Sequence, residues 1–390
     1  MSRLHWVLSC LMFLAPAVSA AGQPAGRYNV VIIGVDGLRA DHLSLYGYSR
    51  QTAPRLSARA AKAVVFDRAI AQASWTLPSF ASLFSSRYPE EHNANSVIVP
   101  MSRKERLLTR ILHERGWRTA GFVGGFFLDP VWGLSYDFDL YRGVGQGNFR
   151  FFSETAAQAS DWIRSHQDER FFVFVHGNDL HPPFDLTHQG EKMRHAFDAD
   201  YAGRVDSLLV DYMFVNNLNS RFLKRPPPRR PDSKGRALND DYIADIDAVR
   251  SSPQDIAHIV AHYDGRILEA DAAIEQIFAT LQETGHDQDT IVVLLGDHGL
   301  EWGEKGLLGT GWHLTQYQTI LHVPLVLWHP ALAPRRVTQV VQLVDVAPTL
   351  LEMLGLAATE SFHGRSFAGL AAGKPARGQR YAFSTSSLTE

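Results

Sequence analysis

One apolar stretch constrains the fold of this chain more than any other. Residues Asn29–Asp36 read NVVIIGVD, with almost no polar side chain before the final carboxylate. Such a run predicts a strand that is buried on both faces, as in a parallel sheet with helices on either side. In sheets of this kind the functional crevice lies beyond the carboxyl ends of the strands. We therefore expect the strand to deliver Asp36 to a site.

Two later apolar runs end in the same manner. The first is Thr290–Leu295, which is followed by Asp297 and His298. The second is Phe171–Val175, and the polar residues after it are His176, Asp179 and His181. Any one of these groups alone is equally well explained as a turn aspartate or a solvated histidine. Together they indicate a divalent metal such as zinc or manganese, and we expect Asp36, Asp297 and His298 to converge within roughly 5 Å.

Strands and helices alternate along the rest of the chain, which predicts an α/β fold with a mainly parallel central sheet flanked by helices. Two further strands are predicted at Thr119–Val123 and Val323–Trp328. Helical spacing and end signals predict helices at Arg55–Lys62, Ser79–Ser86, from the capping box of Ser102 to Arg115, Ser153–His166, from Ser252 to Gly285, and Asp345–Leu354.

The composition is that of a globular protein with enough apolar mass for one large domain or two unequal domains. The chain has 390 residues, of which 45% are hydrophobic and 20% are charged, and its net charge is -3. That charge argues against a nucleic-acid-binding surface as the main function. A small charged substrate is the better expectation.

The N-terminus has the pattern of a secretory signal. Arg3 precedes the apolar stretch Trp6–Leu14, and Ala17–Ala20 fits a cleavage site after residue 20, so we expect export to the periplasm or the extracellular space. An uncleaved anchor is the alternative, although the stretch is short for a membrane span. No later segment predicts a transmembrane anchor. Cys10 is the only cysteine, so the mature chain would have no disulfide and no thiolate site.

The mature chain, residues 21–390, divides into three parts by composition. The segment 187–252 is polar and includes a basic, proline-rich run at Arg225–Pro231, which predicts a surface excursion that lies over the site as part lid and part loop. Residues from about 330 to 390 are expected to form a smaller C-terminal part. The remainder is the main α/β domain.

Thr76 stands immediately before a predicted helix. In Trp75-Thr76-Leu77-Pro78 the proline is expected at the helix start. A backbone N–H at that position would have no acceptor within the helix, so its absence in proline costs little. The free N–H groups and the macrodipole at this end attract negative charge. Thr76 would then lie beside an anion site, or would act simply as a helix cap.

Many of these stretches, in this order, resemble the sulfatases of the alkaline phosphatase superfamily. The matching stretches are Val35–His42, Trp75–Leu83, Arg87–His92, His181–Phe184, Gly296–Gly299, His313, Tyr317, His322–Leu325, Asp345–Thr349 and Gly364–Ser366. The resemblance implies a sulfatase-like fold and a metal held by Asp36, Asp297 and His298. It also implies a nucleophile beside that metal which attacks a sulfate or phosphate ester.

The chain departs from the sulfatase pattern at the nucleophile. Sulfatases convert a Cys or Ser within Cys/Ser-x-Pro-x-Arg to formylglycine, whereas this chain has Thr76 and ends the motif with Phe80. The second acid that often follows the first aspartate is Gly37 here. Thr76 is similar to the threonine nucleophile and metal ligand of related phosphodiesterases and phosphoethanolamine or phosphoglycerol transferases. Formylglycine is therefore not expected.

Four further residues take roles from the same resemblance. His181 and His313 match histidines that contact the transferred group or protonate the leaving oxygen. His92 and Asn95 are candidate substrate contacts. Asp179 fits the spacing of a second metal site poorly.

The sequence thus predicts an exported hydrolase of sulfate or phosphate esters that uses calcium, manganese or zinc. Its substrate would be a small anionic ester, free or carried on a sugar or lipid. One alternative is a phosphoethanolamine or phosphoglycerol transferase or a phosphodiesterase. The other alternative is a non-catalytic binding protein with the same fold. It stays open because the motif's arginine and the second acid are both absent.

Overall fold

The computed structural model describes most of the chain after the predicted signal. The described residues are 27–96, 98–145, 149–181, 196–203, 205, 247–309, 315–375, 378 and 380–385. The predicted signal at 1–20, most of the 187–252 excursion and His313 lie outside the described residues.

The strands and helices are labelled here in chain order. The strands are β1 Asn29–Val35, β2 Val64–Ile70, β3 Arg118–Val123, β4 Leu140–Arg142, β5 Phe171–Gly177, β6 Thr290–Gly296, β7 Glu301–Trp302, β8 Leu308–Gly309, β9 His322–Trp328, β10 Arg335–Val337 and β11 Val341–Gln342. The helices are α1 Pro54–Ala60, α2 Thr76–Ser85, α3 Pro89–His92, α4 Leu108–Glu114, α5 Phe152–Ser165, α6 Pro253–Glu283, α7 Gln318–Leu321, α8 Val346–Met353 and α9 Ala368–Ala371.

Nine of the strands form one sheet, in which eight follow the order β10-β2-β9-β6-β1-β5-β3-β4 and β11 pairs with β2. The pairs that join β1 to β5, β1 to β6, and β3 to β5 and β4 are all parallel. Strand β1 lies between β5 and β6, so the three apolar runs of the sequence are neighbours in space. The predicted α/β class with a mainly parallel sheet is confirmed.

Two features of the sheet did not follow from the sequence. Strand β9 is antiparallel to both of its neighbours, β2 and β6. Strand β2 was not predicted at all, because VVFDRAI carries two charges and is only partly buried. The short strands β10 and β11 pair with β2, so the C-terminal part extends the edge of the main sheet.

Helices cover both faces of the sheet and make two apolar layers. Along β1, Val30 and Ile32 belong to the layer that contains α2, α4 and α8. Val31, Ile33 and Val35 belong to the opposite layer, which contains α5 and α6. Burial of each such side chain stabilises the fold by about 1.5–3 kcal/mol. The double coverage explains why this strand has no polar alternation.

Two predicted helix starts were wrong by several residues. Helix α2 begins at Thr76, not after it, and Pro78 is its third residue. Helix α4 begins at Leu108, because Ser102 accepts a hydrogen bond from the backbone of Lys104 in a turn and does not cap a helix. Among the described residues, we find no helix with both the length and the apolar character to cross a membrane.

Candidate active site

The parallel register of β1, β5 and β6 brings three polar residues to one edge of the sheet. Val35 pairs with Gly177 of β5 and Gly296 of β6, so the side chains that follow emerge together. One ligand atom from each of Asp36, Asp297 and His298 lies within 4.8 Å of the others, and all three residues are buried. The convergence expected from the strand ends is therefore present.

Backbone amides orient the carboxylate of Asp297. Its Oδ1 accepts hydrogen bonds from the N–H groups of Gly37, at 3.1 Å, and His298, at 2.9 Å. Its Oδ2 has no partner among the described residues. Gly37 has a φ of +69° and a Cβ there would meet Leu300 at 3.2 Å. A left-handed backbone favours glycine, so a side chain at residue 37 would be strained and would press on Leu300.

The ring of His298 is oriented by its own loop. Its Nδ1 lies 2.9 Å from the carbonyl oxygen of Gly299, so the neutral ring carries its proton on Nδ1. Its Nε2 faces the two carboxylates, 3.4 Å from Oδ1 of Asp36 and 3.7 Å from Oδ2 of Asp297. A backbone acceptor behind the ring is the usual support of an imidazole that binds a metal.

Two carboxylates in a dry site repel each other. Burial raises the pKa of Asp36 well above its ordinary value, and the nearby charge of Asp297 raises it further, while the hydroxyl of Thr76 opposes both effects. Oδ1 of Asp36 and Oδ2 of Asp297 are buried and have no hydrogen-bond partner in the described part of the chain. Buried carboxylates without partners are costly, and a divalent cation would satisfy both. These residues therefore fit such an ion.

The hydroxyl of Thr76 points at this cluster. Thr76 is the first residue of α2, and Trp75 occupies the cap position without a capping side-chain hydrogen bond. Thr76 Oγ1 donates to Oδ2 of Asp36 at 3.1 Å and lies 3.4 Å from Nε2 of His298. The side chain is thus turned toward the carboxylates, and the capping alternative does not describe it.

Phe80 occupies the place in the motif where sulfatases have arginine. Its ring is fully buried and packs edge-on against Phe174 and His176, with centroid distances of 5.2 and 5.3 Å. A Cβ on Gly34 would lie 2.5 Å from the ring. The phenyl group therefore fills the space beneath the site with apolar atoms.

His176 is a site residue that the sequence analysis noted at a strand end but did not assign. It is fully buried, and its Nε2 lies 3.8 Å from Oδ2 of Asp36. Neither ring nitrogen has a hydrogen-bond partner in the described part of the structure. Burial, with a smaller effect from His298, lowers its pKa to about 3. The position of His176 at the end of the apolar run Phe171–Val175 was the signal for it.

The other predicted site residues lie at different distances from the cluster. The ring of His181 is edge-on to that of His298, with centroids 6.3 Å apart. Oδ2 of Asp179 accepts from the backbone N–H of Phe152 at 2.7 Å, so it faces the start of α5. This arrangement does not favour a second metal at Asp179.

His92 and Asn95 lie beyond the C-terminal end of α2. His92 is fully buried, its Nδ1 accepts from the N–H of Ala94, and its Nε2 is 3.0 Å from Oγ of Ser82. A ring without exposed surface and with both nitrogens engaged suits a structural role better than the predicted substrate contact. Asn95 is half-buried in the following loop, and its role as a substrate contact stays a prediction.

Comparison with known proteins identifies the family. The Sulfatase family model matches residues 28–356. The multifunctional alkaline phosphatase superfamily protein PehA of Trinickia caryophylli is 35% identical over 231 residues, which are 58% of this chain and 41% of that protein. The ulvan-active sulfatase of Formosa agariphila is 22% identical over 361 residues, which are 88% of this chain and 54% of that protein.

A solved structure supports the fold independently. The phosphonate monoester hydrolase of Agrobacterium radiobacter superposes with a TM-score of 0.69 at 22% identity, over 91% of this chain and 79% of that one. The chain thus spans about half the length of the two curated relatives and most of the solved structure. Since the family model covers the chain from β1 to the end of α8, the chain belongs to the Sulfatase family.

Proposed function

We propose that this chain is a metal-dependent hydrolase of sulfate or phosphate esters in which Thr76 is the nucleophile. One observation carries the proposal: the hydroxyl of Thr76 donates to Asp36, at 3.1 Å, inside a buried cluster of two carboxylates and an imidazole. A buried hydroxyl with an adjacent proton acceptor is the arrangement that activates a weak nucleophile.

Asp36, Asp297 and His298 would hold the metal, with Thr76 completing the set. When bound, a divalent ion would neutralise oxygen charge on the substrate and lower the pKa of the threonine hydroxyl. Of the three metals considered, the imidazole of His298 favours manganese or zinc over calcium, which takes oxygen ligands. The two partnerless carboxylate oxygens support this assignment.

The side chains of the site then supply the remaining chemistry. Asp36 accepts the proton of Thr76, and the Thr76 oxygen attacks sulfur or phosphorus as the bond to the leaving oxygen breaks. His181 or His313 donates a proton to that leaving oxygen, which departs as an alcohol. Water then attacks the same sulfur or phosphorus and gives a proton to the deprotonated histidine, while Asp36 returns its proton to the departing Thr76 oxygen, so that sulfate or phosphate is released and the site is restored. The N-terminus of α2 adds a favourable field for the anionic group.

The activities for which the relatives are named support the substrate class. They include an ulvan-active sulfatase and a phosphonate monoester hydrolase, which cover both sulfur and phosphorus esters. We infer a small anionic ester, free or carried on a sugar or lipid, and export of the enzyme after removal of residues 1–20. His92 stays outside this mechanism because it is buried away from solvent.

The decisive experiment compares the wild type with Thr76→Ala and Thr76→Ser on aryl sulfates, phosphate monoesters, phosphodiesters and phosphonate monoesters, each with manganese, zinc or calcium. We expect Thr76→Ala to lower kcat by about 10³-fold or more, whereas Thr76→Ser keeps part of the activity because the hydroxyl survives. Melting temperatures serve as the control for folding. A Thr76→Ala enzyme with wild-type turnover, or a wild type inactive on every ester with every metal, would refute the proposal.

A further inference from the structure

The loop that follows β3 passes beside the candidate active site. Strand β3 is parallel to β5, and its last residue, Val123, pairs with His176, so the chain leaves both strands at the edge where Asp36 lies. A Cβ on Gly125 would lie 3.2 Å from Cε1 of His176. Nε2 of the same ring is 3.8 Å from the carboxylate of Asp36. Residues 126–133 therefore begin next to the proposed metal ligands.

Aromatic side chains connect this loop to Thr76. Trp75, which precedes Thr76, lies edge-on to Phe127, with ring centroids 5.2 Å apart. Phe126 in turn lies 5.5 Å from the ring of Phe127 and 5.5 Å from the ring of Trp132. Trp75 is buried, whereas Phe126 is 38% exposed. The series of rings thus extends from the proposed nucleophile to the protein surface.

Exposed apolar side chains are concentrated around the same loop. In the described part of the chain, eight large apolar side chains are exposed. Five of them lie on this loop or on two segments that hydrogen-bond to it, namely Phe126, Val131, Ile98, Val99 and Phe149. The N–H of Met101 donates to the carbonyl of Trp132 at 3.0 Å, and that of Arg150 donates to the carbonyl of Gly124 at 3.1 Å. Such a cluster indicates a binding surface, which a single exposed apolar residue does not.

Hydrogen bonds hold the loop in a fixed shape. The hydroxyl of Tyr141 donates to the carbonyl of Leu128 at 2.7 Å. Asp129 is the only residue with a charged side chain in 125–134, and its Oδ2 accepts from the N–H of Gly145 at 2.8 Å. The carboxylate thus serves the backbone around it. The surface is therefore preformed, and it offers a ligand apolar contact with few hydrogen bonds.

We propose that the apolar rim, formed by Ile98, Val99, Phe126, Val131 and Phe149, binds the organic part of the substrate, and that this part is an apolar alkyl or alkylaryl group. The inference rests on the ester chemistry proposed at Thr76 and specifies the substrate class of the same site. Because the rim begins beside the metal ligands, an ester whose anionic group is bound there can extend its organic part across the rim.

The test measures how affinity depends on the length of an apolar chain. The metal-loaded full chain is titrated calorimetrically with 4-alkylbenzenesulfonates from methyl to pentyl, in which the anionic group is held by a carbon–sulfur bond and not by an ester. Complete burial of a methylene group contributes about 4-fold in affinity. We therefore expect a gain of about 2- to 4-fold per methylene group, which is about 16-fold or more from methyl to pentyl.

Two rim variants and a matched control locate this gain. Ile98→Ser with Val131→Ser removes two side chains that are 67% and 59% exposed, so the fold should be retained, and Phe126→Ser removes the rim side chain next to Gly125. Each variant should reduce the gain from methyl to pentyl to about 4-fold or less. Melting temperatures check the folding of both.

Tyr381→Ser is the control, because Tyr381 is 62% exposed but lies away from the rim. Its neighbour Arg380 donates to the carbonyl of Val340, just before β11, which pairs with β2. Strands β2 and β3 are five strand positions apart in the sheet, roughly 24 Å. The control variant should therefore keep the full gain.

The corresponding 4-alkylphenyl sulfates and phosphates give a second measurement. An alkyl group at the para position hardly changes the acidity of the phenol that leaves, so the chemistry is constant along the series. A longer chain should lower KM and leave kcat nearly unchanged, since apolar contacts at the rim are equally strong before and during the reaction.

Three results would overturn the proposal. The first is a wild-type affinity that does not depend on chain length, and the second is the same gain in the wild type and both rim variants. The third is weaker sedimentation of the rim variants with phosphatidylglycerol vesicles at an unchanged chain-length dependence, which would assign the rim to a membrane surface. Because the sulfonates are not turned over, their affinities test the rim even if Thr76 is not the nucleophile.

Discussion

The two ends of helix α2 bury polar groups in opposite ways. At the N-terminal end, Thr76 faces Asp36 and Asp297, each of which has a buried oxygen without a partner in the described structure. At the C-terminal end, the hydroxyl of Ser82 and both nitrogens of His92 are engaged in hydrogen bonds. The whole helix is buried, so solvent exposure does not distinguish its two ends.

The difference between the two ends indicates which of them lies at a ligand-binding site. A buried polar atom without a partner costs about 1–3 kcal/mol, and the cost is higher for a charged oxygen, so two carboxylate oxygens that converge on one imidazole point to a bound cation. The complete hydrogen bonding around His92 requires nothing further. The incomplete set around Asp36 would be completed by the proposed cation, and this contrast distinguishes a candidate site from a fully hydrogen-bonded interior.

The largest effect on metal affinity is expected from Asp297→Asn. Loss of one charged ligand oxygen should lower metal affinity and turnover by about 100-fold or more. Without metal, the same change removes repulsion with the carboxylate of Asp36, so the melting temperature of the metal-free protein should stay the same or rise. Metal titration and calorimetry on the wild type and the variant measure both effects. Unchanged metal affinity would show that Asp297 is an ordinary buried acid.

An intermediate effect on stability is expected from His92→Gln. Glutamine cannot replace Nδ1 as the acceptor for Ala94, so at pH 7 the free energy of unfolding should fall by about 1–3 kcal/mol. Turnover per folded molecule should not change, because His92 contacts no reacting group in this mechanism. A large loss of kcat with normal stability would restore His92 to the substrate site.

The pH dependence of stability sharpens the same test. Burial lowers the pKa of His92 from 6.5 to about 3. The unfolded chain therefore binds a proton between these values that the folded chain does not, and the stabilisation, complete above pH 6.5, is lost as the pH falls toward 3. The loss approaches about 1.4 kcal/mol per pH unit. His92→Gln should lack this component, so its deficit against the wild type should shrink as the pH falls from 7 to 4.

The smallest effect is expected at the N-terminus of α6. This helix end is capped by a side chain and lies outside the candidate site, so it serves as a reference for the N-terminus of α2. Oγ of Ser252 accepts from the N–H of Asp255 at 3.2 Å, and Pro253 follows as the first helical residue. Ser252→Ala should lower the free energy of unfolding by about 1 kcal/mol and leave metal affinity unchanged. Chemical denaturation measures the first quantity and metal titration the second. If Ser252→Ala lowered metal affinity, the N-terminus of α6 could no longer be distinguished from the N-terminus of α2, which lies at the candidate site.

The sequence predicted the centre of the fold better than its edges. Strands β1, β5 and β6 are continuous apolar runs, so their burial on both faces is visible in the residues themselves. Strand β2 interrupts its apolar pattern with Asp67 and Arg68, and the reversed direction of β9 depends on tertiary pairing that no local pattern encodes. The strands on this side of the sheet are therefore defined by their neighbours more than by their own residues.

The same reasoning applies to the candidate site. The convergence of Asp36, Asp297 and His298 followed from parallel strand ends, and these residues do meet. The burial of His92 could not be predicted, because it depends on which elements pack over the ring, whereas His176 was signalled only by its place at the end of an apolar run. Thr76 was expected outside the helix that it begins, since the motif's proline suggested a start about three residues later.

The position of β1 has a consequence for how the chain folds. It comes before both of its neighbours in the chain, which are formed by residues 171–177 and 290–296. Pairing across such sequence separations is slow, because long loops must close before the contacts form. During synthesis one edge of this strand therefore stays unpaired until residue 177 has emerged, and the other until residue 296. Aggregation and demand for chaperones should be greatest during that interval.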